Sequence, residues 1–216
     1  EEKFIMKLKK IASLMLAGVM AVSMLAGCSG KGTTTEDGST VNTSTSSIVN
    51  ALNNAQSADN DAKVTFSADS TLDAALQKAI AMLGEGASVD NVRKNIGLLT
   101  GKYGTVAANG SFTPTDESDL DKKDGSKVSV LIVKEYKDAY WTESSVVEAA
   151  GRYADELIAD LMASTKDGTA QGAKYWDYTY TGTASMATLK KTDGTTSYFV
   201  AATVTRTATE GTVPTV

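Results

Sequence analysis

Histidine is absent from this 216-residue chain, cysteine occurs once, and beyond the first ten residues basic side chains form no block. Each absence removes a class of chemistry. Without histidine, neither a Ser-His-Asp nor a Cys-His nucleophilic site can be assembled. One cysteine and no histidine cannot supply the usual His/Cys ligand sets of zinc. A single cysteine also leaves no disulfide within the chain, so the fold must rest on ordinary core burial. The whole chain has a formal net charge of −5, and beyond the lysines of its first ten residues it is acidic with no basic block, which argues against nucleic acid and against electrostatic attachment to anionic lipid. Neither a nucleophile elbow nor a dinucleotide fingerprint appears. Gly97-Leu98-Leu99-Thr100-Gly101-Lys102 is one residue short of phosphate-loop spacing and falls at a helix end rather than a start. No cofactor and no metal are expected from these patterns.

What is present begins with a leader. Lys7, Lys9 and Lys10 precede Ile11 to Ala26, a run that is apolar or small at almost every position and broken only by Ser13 and Ser23. As a helix it would rise roughly 24 Å, short of a hydrocarbon core about 30 Å thick. Such a run suits a secretory h-region better than a permanent span. Leu25-Ala26-Gly27-Cys28 closes it.

That tetrapeptide resembles the lipobox of bacterial lipoproteins, and the likeness covers residues 6–28 alone. The resemblance implies a diacylglyceryl group on the Cys28 thiol, cleavage just before Cys28, and removal of residues 1–27 as a signal peptide. It further implies a place on the outer face of the cell membrane. Two acyl chains are what stable anchoring asks for, since one gives only marginal binding. The rival readings are an ordinary signal peptide cut near Ala26 and an uncut membrane helix. Glu1 and Glu2 suit an n-region poorly, so translation is expected to begin at Met6.

Residues 28–47 carry Gly-Lys-Gly, Thr33-Thr34-Thr35 and a Ser/Thr run, with Val41 the only large apolar side chain. This composition reads as a lipidated N-terminus followed by a flexible tether. The folded domain is expected over 48–208 and a loose tail over 209–216. Charged residues at 22% and hydrophobic residues at 42% are those of a globular chain.

Within the domain, Ile48 to Ala58 reads as a short helix and Lys63 to Ser67 as a strand. Leu72, Ala75, Leu76, Ala79, Ile80 and Leu83 share one helical face. Ser70 or Thr71 is placed to cap that helix, and Gly84 and Gly86 to end it. Ser88 opens a second helix with Val89, Val92, Ile96 and Leu99 inward, and the two are expected as an antiparallel hairpin. Tyr103 to Phe112 reads as a weak strand and Pro114 to Ser126 as a charged loop. Val128 to Val133 reads as a strand buried on both faces or central in a sheet. The strongest helix carries Val146, Val147, Ala150, Tyr153, Ala154, Leu157, Ile158 and Leu161 inward, with Ser145 and Glu148 as a capping box. Lys174 to Thr181, Thr183 to Lys190 and Thr196 to Thr207 read as strands. Asp193-Gly194 favours a type I′ turn that would pair Leu189 with Tyr198 and Ala187 with Val200. On that register Ala202 and Val204 join the core face. The fold class is therefore α+β: a single domain, an antiparallel sheet with a C-terminal meander, and helices packed on one side.

Three patterns offer chemistry. Trp176, Tyr178 and Tyr180 form a period-2 row that is either core or a platform for a sugar or a protein. Asp116, Glu117, Asp119, Asp121 and Asp124 crowd one loop, but Lys123 and the missing terminal glutamate depart from a calcium loop, so a solvated charge run is expected. Asp177, or Glu135 with Glu143, could act as the paired carboxylates of a glycoside hydrolase only if they converge. The expected function is a membrane-anchored extracytoplasmic lipoprotein, a non-enzymatic module binding a protein or glycan of the cell envelope. The alternative is a carboxylate-based wall- or glycan-acting hydrolase.

Overall fold

A computed structural model describes residues 32–101, 124–167 and 174–211. Seven strands form one sheet around a long hairpin, β6 (Lys174–Lys190) and β7 (Thr196–Gly211). One edge of β6 pairs along its whole length with β7. Three short strands share the other edge: β2 (Thr40–Thr43) against 187–190, β3 (Val64–Ser67) against 180–183, and β5 (Ser164–Asp167) against 174–177. β1 (Thr33–Thr34) extends β2, and β4 (Lys127–Tyr136) pairs antiparallel with β7. All pairings are antiparallel except β3 with β6. The class is α+β, and a C-terminal meander is present, but it is made of β5, β6 and β7, of which β5 was not expected as a strand. The strands expected at 174–181 and 183–190 run on as one.

Among the described residues four helices pack with the sheet: α1 (Thr45–Asn54), α2 (Ser70–Leu83), α3 (Val89–Thr100) and α4 (Glu143–Ala159). Helices α2 and α3 form the expected hairpin, joined by a 3-10 turn at Gly84–Gly86. Gly101, at φ +67°, takes the left-handed position after α3. The cap of α2 is Asp69, whose carboxylate accepts from Thr71 N and Leu72 N. At α4 the box is closed by Thr142 and Ser145 rather than by Ser145 and Glu148.

The helices lie on both faces of the sheet, which corrects the one-sided packing expected from the sequence. α1 and α4 cover the face carrying Val130, Tyr180, Met186, Val200 and Val204. α2 and α3 cover the opposite face, with Leu131, Val133, Ala187, Leu189, Phe199 and Ala201. The strands are apolar on both sides: β7 turns Val200, Ala202 and Val204 one way and Phe199 and Ala201 the other. The β6–β7 turn also differs from the expected one. No residue other than glycine has positive φ among the described residues, so Asp193 cannot take the type I′ conformation; Gly194 alone does, at +86°. The loop closes instead through Lys191 N to Thr195 O (2.8 Å) and Gly194 N to Lys191 O (3.1 Å). Leu189 consequently faces Ser197 and Ala187 faces Phe199, one residue from the expected register. The slip changes which residues share a face: Ala187 and Leu189 lie with Phe199 and Ala201, not with Val200, Ala202 and Val204. Of the run Val128 to Val133, Val130 and Ile132 feed one core and Leu131 and Val133 the other, although among the described residues β4 lies at the end of the strand order rather than in the centre of the sheet.

The expected tether is also corrected. Residues 33–43 form the β1–β2 hairpin, Val41 is fully buried, and α1 starts at Thr45. Pairing with the β6 edge satisfies the backbone of this Ser/Thr-rich stretch, which composition alone does not reveal. At the other end, β7 runs to Gly211 and takes in the first residues of the expected tail. The strand expected at Tyr103 to Phe112, most of the acidic loop, and Cys28 lie outside the described residues.

Candidate functional site: an apolar cleft under the last helix

Alternation along β4 places Ile132, Lys134 and Tyr136 toward α4, while Leu131, Val133 and Glu135 turn to the other face. α4 presents its apolar stripe to this surface but is only partly seated. Val146, Ala150 and Ile158 are buried, whereas Tyr153, Ala154 and Leu157 stay half-exposed. The sequence predicts the whole stripe as inward. Between Ala154, Leu157 and Leu161 on one wall and Ile132, Val200 and Ala202 on the other lies a cleft that encloses about 50 Å³. Phe66 and Val64 close its back.

The mouth is polar and aromatic. Lys134 Nζ stands 3.5 Å from the centroid of the Tyr153 ring and 5.8 Å from that of Tyr136. Desolvation by burial lowers the lysine's affinity for its proton, and the field of Glu156 only partly restores it. Burial pushes the Tyr136 phenol up to about 12, with Tyr153 adding to the shift and Arg152 opposing it. The Tyr153 phenol is raised by burial and then by Glu156. Both phenols therefore remain protonated donors at neutral pH. Trp141 meets Tyr136 edge-on at 4.9 Å, and Tyr140 leans on Trp141 at 5.4 Å while 72% exposed. Within the described residues, Lys134 has no carboxylate within 4.0 Å.

No protein-family model, no curated protein and no solved structure matches this chain. The cleft is therefore read from its own chemistry.

The residues singled out in the sequence fall elsewhere. Trp176 and Tyr180 are 2% and 6% exposed, on the same sheet face as the cleft but toward the start of β6. Tyr180 Oη donates to Met162 O at 2.8 Å, and Tyr178 is half-buried beneath Arg206, whose guanidinium lies 4.5 Å from the ring centroid. Lys174 Nζ lies 5.8 Å from the Trp176 ring. The row is thus roofed rather than presented. Glu135 and Glu143 do not converge: Glu135 turns to the α2–α3 face, and Glu143, on α4, accepts from Ser44 Oγ at 2.6 Å. Asp177 points away from the Trp176 face. Asp124, the one acid of the crowded loop inside the described residues, accepts from Glu210 N at 3.1 Å. No group of three His, Cys, Asp or Glu side chains able to hold a metal occurs among the described residues.

Lys134 and Tyr153 were not legible as site residues. Lys134 falls one residue past the strand read at Val128 to Val133, and Tyr153 is one of the helix's inward positions. The available signal was their joint placement, a cation in an otherwise apolar strand facing an aromatic helix position, and it becomes visible only once β4 and α4 are known to be stacked.

Proposed function

We propose that this chain is a lipid-anchored binding module of the bacterial cell envelope, held at Cys28 on the outer face of the membrane. The observation that carries the binding role is the apolar cleft under α4, with a lysine at its mouth that no described carboxylate approaches within 4.0 Å. Ligand sites are concave, mostly apolar, and marked by a few placed polar groups. The place in the cell is supported by the leader and lipobox at residues 6–28. No helix among the described residues is long and apolar enough to cross a membrane. Only Ser29 to Gly32 separate Cys28 from the first strand at Thr33. At roughly 3.6 Å per residue this stretch reaches about 18 Å at full extension. An anchored domain would therefore work beside the lipid surface rather than far above it.

Fractionation of cells expressing the full chain tests the anchor. The unsubstituted protein is expected in the membrane pellet, resistant to high salt and released by detergent. Cys28→Ser is expected in the soluble extracytoplasmic fraction. Equal distribution of the two proteins rules out the anchor.

A further inference from the structure

The cleft has a polar head and an apolar throat. Its head is the Lys134 ammonium between the Tyr136 and Tyr153 rings. Its throat is aliphatic, between Ile132 and Ala202 of the sheet and Ala154 and Leu157 of α4. Size decides the shape of the occupant. The enclosed space of about 50 Å³ is well below the roughly 150 Å³ of an apolar cavity that takes benzene. A ring enters only if α4 moves away, whereas an unbranched chain enters end-on and lays further methylenes along the open side of the helix.

We propose that the cleft takes a single-chain aliphatic carboxylate, its tail between α4 and the sheet and its carboxylate on Lys134 Nζ. Charge complementarity fixes the head group. The ammonium has three donors; Glu156 acts on it through its field, but no described carboxylate comes within 4.0 Å of it, and charge-assisted bonds to a carboxylate are the strong ones. The same ammonium repels a cationic head. The lowered proton affinity of the buried amine fits a site that an anion would complete. The proposal rests on the reading of the cleft as a binding site and is independent of the anchor at Cys28.

Calorimetric titration tests it, using the full chain with Cys28→Ser so that no covalent acyl group competes. The probes are octanoate, octanol and octylammonium. Octanoate is expected to bind one to one and about tenfold more tightly than octanol, with no heat from octylammonium. Lys134→Met is expected to bring octanoate down to the level of octanol and leave octanol unchanged. Ala154→Phe, which fills the throat, is expected to abolish binding of both, with its thermal melt recorded beside it. The head-group comparison needs no substitution in the cleft, so a variant that fails to fold does not blunt the test. Octylammonium binding as tightly as octanoate, an octanoate preference surviving in Lys134→Met, or no binding by any octyl probe overturns the proposal. If the octyl probes fail while a glycan fragment quenches Trp141, the inference falls and the binding-module reading stands. Saturable octanoate binding by a protein that cells do not acylate leaves the inference standing and the anchor fallen.

Discussion

Asp37 gathers donors from two parts of the chain. Its carboxylate accepts from Thr35 Oγ1, from Ser39 N at 3.1 Å and from Glu85 N at 2.7 Å. These bonds fasten the β1–β2 turn to the 3-10 turn after α2. Gly84 makes the approach possible: its φ is +54°, and a Cβ there would stand 2.0 Å from Asp37 Oδ2. Gly84→Ala is therefore expected to cost on the order of 1–3 kcal/mol, read as a lower urea midpoint with an unchanged slope. The Thr35 hydroxyl, then the Glu85 and Ser39 amides, hold the Asp37 carboxyl well below the usual carboxylate range. Asp155 is lowered by Ser57 N and Asn60, and Asp193 by Thr195. A depressed folded pKa contributes stability that is complete above the unfolded value, about 3.9. It is lost as the pH falls from there through the folded value. Urea unfolding from about pH 6 to about pH 2 is expected to show this acid loss. It should be smaller in Asp37→Asn, and an equal slope in the two proteins would contradict the assignment.

The helices show which elements a sequence can announce. Leu72, Leu76 and Ile80 repeat at helical spacing and are buried in α2 as that spacing required. The hairpin register was not legible, because Asp193-Gly194 carries the signal of one turn while the loop adopts another, and a single residue's φ decides between them. The β1–β2 hairpin was hidden for a different reason: its stability comes from the β6 edge, not from its own composition. Val41→Asp is accordingly expected to lower the unfolding midpoint sharply, since it places a charge at a fully buried position. A free tether would tolerate the change. α4 offers the matching comparison between neighbours. Ile158 is 3% exposed and Leu157 half-exposed over the cleft. Ile158→Ala is expected to cost about 2–5 kcal/mol and Leu157→Ala about 1 kcal/mol or less, both by urea denaturation.

At the scale of the whole molecule, the α+β class followed from the order of periodic segments. The two-sided layering did not, although β6 and β7 carry apolar residues on both faces; which faces the helices cover is settled by packing between segments distant in sequence. Met82, Leu98 and Leu99 are exposed on the α2–α3 layer, but the concave apolar space lies under the partly seated α4, which makes its lysine-headed cleft the place for a ligand. The candidate row at Trp176 lost its claim through burial beneath its neighbours, a fact that alternation in sequence cannot reveal. Cys28 would bring that cleft to a membrane without a spanning helix. Intact-mass analysis of the protein extracted from native membranes reads this directly. The expected species starts at Cys28 and carries a diacylglyceryl group on its sulfur, with residues 1–27 gone. A chain retaining its leader, or one whose Cys28 thiol is bare, contradicts the account.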